Sequence, residues 1–200
     1  MKQFIITLAL ALSTLCAANA QSASEWLSKL DNSLGERYAM HIAVTVGEES
    51  PLNGSFMVEG DGYYITLGIM EVYSDGKLRY EINNERKEVV EDRVDLEARD
   101  LLSNPTRAFT FVPNEFVSEV TSATTERVTL KLTPKSEAMG IDAITLTLER
   151  RGSKVAPVAI SYDYDGDAIS IVLSAADSAD AKLPRWDKTA YRAYDIVSFL

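Results

Sequence analysis

The sequence holds one cysteine and one histidine in 200 residues, and 20 basic against 30 acidic side chains. Each shortage removes a class of function. A lone thiol, Cys16, builds neither a disulfide framework nor a cysteine zinc site. A net charge of −10 lacks the basic footprint that nucleic acid or an anionic membrane surface needs, so no nucleic-acid partner is expected. The apolar run Phe4 to Leu15 is shorter than the ~20 residues of a membrane-spanning helix. No glycine-rich phosphate loop and no nucleophile elbow occur. What is present, 46% apolar and 25% charged residues, is the composition of a globular domain with chain enough to bury a core.

The residues that could carry chemistry have simpler readings. His41 points away from the apolar face of its alternating stretch, and nothing in the sequence places the carboxylate and serine that a catalytic triad requires. The thirty carboxylates are spread over turns and polar faces, which suits a solvated surface better than a paired acid and base. Asp163-Tyr164-Asp165-Gly166-Asp167 offers clustered oxygens, but its spacing misses the calcium-loop pattern and Asp-Gly is a hairpin signal. Glu85-Arg86-Lys87-Glu88 reads as a mixed-charge strand start. The chain is therefore expected to be no enzyme and to use no metal or cofactor.

Lys2, the apolar run Phe4 to Leu15 and Ala18-Asn19-Ala20 form a secretory signal, with cleavage expected before Gln21. The domain division is then a signal peptide over 1–20 and one domain over 21–200, exported to the periplasm. Removal of one lysine from the 20 basic residues, against 30 acidic ones, takes the mature charge to −11. Cys16 gives an alternative in which it is acylated and anchors the chain, although bulky Leu15 precedes it where a small residue is usual.

Trp26, Leu27, Leu30 and Leu34 recur at helical spacing, so a helix is expected over Ser24 to Leu34 with Ser24 as its cap. The period then falls to two. Alternation marks Tyr38 to Val46, Leu52 to Glu59, Tyr63/Ile65/Leu67, Met70/Val72 and Leu78/Tyr80/Ile82, separated by Gly47 to Pro51, Asp61-Gly62, Asp75-Gly76 and Asn83-Asn84. Between Val94 and Val120 the rhythm stops. There Leu96, Ala98, Leu101 and Leu102 suit a short helix ending at Asn104-Pro105, followed by Phe109, Phe111 and a second short segment from Asn114. The period of two returns at Val128/Leu130/Leu132, Ile144/Leu146/Leu148, Val158/Ile160/Tyr162 and Ile169/Ile171/Leu173, and Tyr191 to Leu200 can add a last strand.

About ten strands without βαβ alternation predict an open antiparallel meander whose apolar face is covered by the helical segments. Inward candidates are Met40, Ile42, Phe56, Val58, Ile65, Leu67, Val72, Tyr80 and Ile160, with Leu101, Leu102, Phe109 and Phe111 from the excursion. Two arrangements satisfy this pattern: a filled core, or a sheet and cover held apart around an apolar cavity.

In this order of elements, Glu71-Val72-Tyr73-Ser74-Asp75-Gly76-Lys77-Leu78-Arg79-Tyr80 resembles a strand, Ser-Asp-Gly turn and aromatic strand of the periplasmic outer-membrane lipoprotein carriers, the LolA-like family. Leu101-Leu102-Ser103-Asn104-Pro105 resembles their lid helix and turn. Leu130 to Lys135 and Ile141 to Glu149 resemble the strands after the lid. The resemblance implies a LolA/LolB-like fold, mainly β with an α cover: an unclosed, strongly bent antiparallel barrel with helices over its concave face.

It also implies a monomeric carrier that shields lipoprotein acyl chains, or a related lipid, and meets membrane-bound donor and acceptor proteins. The alternative is a sensing or scaffold module of the same fold that binds a protein partner or apolar ligand. Ile42, Phe56, Ile65, Val72 and Tyr80 would then line the cavity, and Leu101, Leu102 and Phe109 the lid. Carriers of the best-known type latch the lid with an arginine in a basic, proline-containing turn before the third strand. Here Val58-Glu59-Gly60-Asp61-Gly62-Tyr63 has none, so that latch has no counterpart in this sequence.

Overall fold

The computed structural model describes residues 22–98, 100–107, 109–110, 112–136, 141–176 and 181–200. The expected signal peptide, Cys16 and the lid position Phe111 lie outside them.

The first helix, α1, spans Ala23–Leu34 and turns Trp26, Leu27 and Leu30 inward. Its cap is Ser22 rather than Ser24: the Ser22 hydroxyl accepts from the Glu25 amide at 3.3 Å, satisfying one of the amides a helix start leaves unpaired. Gly35 ends it with φ +64°, a conformation glycine adopts without strain.

Six strands follow as a meander: β1 (Arg37–Val46), β2 (Leu52–Glu59), β3 (Gly62–Leu67), β4 (Met70–Ser74), β5 (Leu78–Asn83) and β6 (Glu88–Arg93). After the excursion come a second meander, β7 (Phe116–Ala123), β8 (Arg127–Pro134), β9 (Ile144–Arg151), β10 (Lys154–Tyr164) and β11 (Asp167–Ala175), and finally β12 (Asp195–Ser198). They form one twelve-stranded sheet in the order β12-β6-β5-β4-β3-β2-β1-β11-β10-β9-β8-β7. β7 and β12 are its two edges, so the sheet is open, and the unclosed helix-covered architecture expected from the sequence is the one observed. The two meanders join where β1 pairs with β11, Ile42 opposite Leu173. β12 alone runs parallel to its neighbour, with Ile196 opposite Val89.

Two of the twelve strands, β6 and β7, carry little alternation and are additional to the expected ten. β6 reads Glu-Val-Val-Glu-Asp-Arg, and β7 leaves most of its side chains in solvent at a sheet edge. Glu85 to Lys87 form a turn, and the strand starts only at Glu88. The Asn83 side chain accepts from the Glu85 and Arg86 amides there, holding the chain out of the ladder. The Asp163 to Asp167 segment is a hairpin, with Asp165 at φ +52° and Gly166 at φ +89°.

The concave face carries two apolar cores. One packs Trp26, Leu27 and Leu30 of α1 on Leu130, Leu146 and Leu148 of β8 and β9. The other gathers Met40, Ile42, Phe56, Val58, Ile65 and Val72 from β1 to β4. Both faces of the first meander are covered. On the convex face, Leu183 packs with Ala39 and Met57, and the chain from there to β12 crosses β3 to β5 as a strap.

Candidate functional site

The excursion between β6 and β7 contains no α-helix before Val112 among its described residues. Asp95 accepts from the Glu97 amide at 2.8 Å, and Asp100 accepts from the Leu102 and Ser103 amides at 3.1 and 2.7 Å. These side chains satisfy locally the amides that a helix would have used, so the expected helix over Leu96 to Leu102 is replaced by turns. A 3-10 turn follows at Pro105–Arg107, then one helical turn, α2, at Val112–Glu115.

This loop lies over the concave face as a lid. Asn104, buried, donates to the Asp95 carbonyl and accepts from Thr106 at 2.6 Å, which sets the lid's internal shape. Two tyrosines hold it down: Tyr38 donates to the Pro105 carbonyl at 2.7 Å and Tyr63 to the Ser103 carbonyl at 3.0 Å. Burial pushes both hydroxyls above the usual tyrosine range, so they remain donors throughout the physiological pH range. Together they tie the lid to β1 and β3. Nothing in the alternation could assign this, because Tyr38 and Tyr63 read simply as inward apolar positions.

A cleft of about 670 Å³ opens between lid and sheet. Its floor is Leu132, Leu146, Ile160 and Ile171 from β8 to β11, and its roof includes Leu101, Phe109 and Val112. A second cleft of about 440 Å³ lies between α1 and α2, and Phe109 and Phe116 form walls of both. Asp95, Glu97, Asp100, Tyr162 and Tyr164 stand at the mouth of the larger cleft. Asp95, Glu97, Asp100 and Tyr164 are solvent-exposed. The Tyr162 hydroxyl is pushed up first by burial and then by the negative charge of Asp100.

The expected cavity residues are distributed differently from the expectation. Among the nine, Ile160 lines the cleft. Met40, Ile42, Phe56, Val58, Ile65 and Val72 are buried against one another and against Leu101, and Leu67 packs half-buried at their margin. Tyr80 is on the opposite, convex face, because Tyr80 pairs with Tyr73, which lies back to back with Val72. Its ring stacks on Trp186 at 4.5 Å and 10°. Of the lid set, Leu101 and Phe109 border the cleft, and Leu102 packs on the first-meander core. Periodicity identified the inward residues apart from Tyr80. It could not separate the filled half of the concavity from the half held open, since that depends on where the lid lands.

The convex strap is the other feature without a sequence signal. Trp186 is sandwiched between Tyr80 and Tyr191, the second stack at 4.9 Å and 15°. Glu71 receives Asn84 at 2.8 Å and Tyr64 and Tyr73 at 2.9 Å each, with Tyr191 at 3.3 Å. Burial works against the Glu71 carboxylate, yet these donors together hold its pKa below the usual range. His41 is exposed, and no cluster of metal-ligating side chains occurs among the described residues. No helix among them is long and apolar enough to cross a membrane.

No protein-family model and no curated protein matches the chain. Solved structures do. An uncharacterized conserved protein from Thermus thermophilus is 13% identical over 88% of this chain and 98% of its own, with a TM-score of 0.56. A LolA superfamily protein from Nitrosomonas europaea is 9% identical over 86% and 98%, with a TM-score of 0.38. An outer membrane lipoprotein-sorting protein domain from Vibrio parahaemolyticus is 9% identical over 86% and 94%, with a TM-score of 0.40. The chain shares the fold of the Thermus protein, and likeness at this identity is one of fold.

Proposed function

We propose that this protein is a periplasmic carrier that shields the acyl chains of lipoproteins, or of a related lipid, in the cleft between its lid and β8 to β11. The observation that carries this reading is the cleft itself: about 670 Å³, walled by aliphatic and aromatic side chains, with carboxylates and tyrosines only at its mouth. An acyl chain gains ~0.8 kcal/mol for each CH₂ removed from water, so such walls favour retention. The lid is held by two tyrosine hydrogen bonds, each worth about 1 kcal/mol, and by Leu101, Leu102, Phe109 and Val112, and as a loop it can move without unfolding the sheet. The resemblance of the sequence to the lipoprotein carriers supplies the nature of the cargo. Binding and release, without bond-making chemistry, is the activity proposed.

Native mass spectrometry of protein recovered from the periplasm, with lipid extraction of the same sample, tests this. The expected result is a co-purifying acylated species, and purified protein that keeps an acylated lipoprotein in solution. A ligand-free protein that fails to keep the lipoprotein soluble would overturn the reading.

A further inference from the structure

The larger cleft runs across the strands. Ile169 and Ile171 of β11 stand at one end and Phe116 of β7 at the other, four strand spacings away in the sheet, or about 19 Å at ~4.8 Å each. Tyr164, exposed on β10, places the mouth toward the first end. Phe109 and Phe116 close the second. The same two rings are walls of the smaller cleft, which continues past them between Leu27 of α1 and Pro113 next to the start of α2. At ~1.2 Å per bond, an extended chain of about 16 carbons fills the length between the ends.

The two rings are held differently. Phe116 is the first residue of β7 and pairs with Pro134 of β8, so its backbone is fixed by the sheet. Phe109 is buried in a turn of the lid, outside any ladder, and its side chain alone is in place to be shortened without breaking a strand. Close-packed interiors leave few voids larger than a water molecule, yet about 440 Å³ of space lies behind this ring. Removing the ring therefore joins two spaces instead of leaving a blind hole.

We infer that Phe109 determines the chain length the protein accepts. Its ring stops a chain of about 16 carbons at the end of the larger cleft, and without the ring a longer chain runs on into the smaller one. The inference rests on the proposed acyl-chain site and adds the length of its occupant.

The test is competition of saturated fatty acids of about 10 to about 20 carbons against a fluorescent acyl probe, at concentrations where the acids are monomeric. Affinity for the unaltered protein should rise about fourfold with each added CH₂ up to about 16 carbons, and by less than about twofold in total beyond that. In Phe109→Ala the fourfold steps should continue to about 20 carbons. Phe109→Leu keeps an apolar side chain in the core, should extend the rise by about two carbons, and covers the case in which the alanine variant misfolds. Adding Ser28→Trp to Phe109→Ala fills the smaller cleft from the exposed face of α1 and should restore the stop at about 16 carbons, which general loosening of the lid would not do. A steady rise to the longest acid in the unaltered protein, or a stop that stays in place in folded Phe109 variants, overturns the inference while the acyl-chain site stands. Failure of every acid to displace the probe from the unaltered protein overturns the acyl-chain site as well.

Discussion

Tyr63, with 0% of its surface exposed, donates to the carbonyl of Ser103 at 3.0 Å and so joins β3 to a loop forty residues further along the chain. With Tyr38 on the Pro105 carbonyl, it ties the lid to the sheet alongside the packing of Leu101 and Leu102. Tyr63→Phe removes the donor, leaves the ring packed, and strands a carbonyl beneath the lid. It should cost about 1–2 kcal/mol. Amide exchange of residues 101–107 should accelerate while that of β8 and β9 is unchanged, and hydrogen-exchange mass spectrometry reads both.

Phe109 and Leu130 distinguish lid from core. Phe109 forms a wall of both clefts, whereas Leu130 is fully buried under α1. Leu130→Ala should lower stability by about 2–5 kcal/mol, as a cavity in a close-packed core does. Phe109→Asp should lower retention of an acyl probe more than it lowers the urea midpoint. Equal losses of binding and stability at Phe109 would make it an ordinary core residue.

Trp186 fixes the convex strap through its stacks on Tyr80 and Tyr191. Trp186→Ala should destabilise the fold by about 1–3 kcal/mol, two aromatic pairs being lost. Acyl-probe affinity measured well below the melting temperature should not change, because the strap and the cleft are on opposite faces of the sheet. Calorimetry on the same sample reads both quantities.

Stability should decline at both ends of the pH scale. The Glu71 carboxyl is held low in the folded state, so its contribution is complete above the ordinary carboxylate range and is lost as pH falls through the depressed value. Tyr64 is pushed up to about 12 by burial and the neighbouring Glu71, which favours its neutral form in the fold. That contribution is complete below pH ~10, where unfolded tyrosine is also neutral, and erodes as pH rises from ~10 toward 12. Urea midpoints across pH should fall on both sides, and Glu71→Gln should flatten the acid side.

Gly76 is required by the Ser74-Asp75-Gly76 turn. It sits at φ +89°, and a Cβ there would lie 2.6 Å from the Cβ of Asp61 in the neighbouring turn. Gly35, at φ +64°, has open space around it. Gly76→Ala should therefore cost more than Gly35→Ala, about 2–3 against about 1 kcal/mol, as chemical denaturation can compare.

Much of the sheet was legible because alternation survives where one face is buried. Met40, Ile42 and Val44 against exposed His41 announce β1, and Asp75-Gly76 announces the turn between β4 and β5. β6 showed only as the mixed-charge start at Glu85 to Glu88, because its one buried side chain, Val89, is on the convex face beside Ile82. Tyr80 misled for the same reason: an aromatic side chain facing away from the concavity is normally solvent-exposed, and here Trp186 covers it. The cleft lies over β8 to β11 because the turns made by Asp95 and Asp100 set where the lid rests, and those are side-chain hydrogen bonds that hydropathy does not encode.

The strap and β12 also bear on when the molecule can finish folding. β6 finds its parallel partner more than one hundred residues later in the chain, and the Tyr73 hydroxyl meets that of Tyr191 across a separation of 118. Contacts so distant in sequence raise contact order and slow the search for the native state. Until residues 183–198 have been synthesised, β6 keeps an open edge and Tyr80 and Ile82 remain uncovered. A nascent chain of this protein is thus held short of its native state until residues 183–198 arrive.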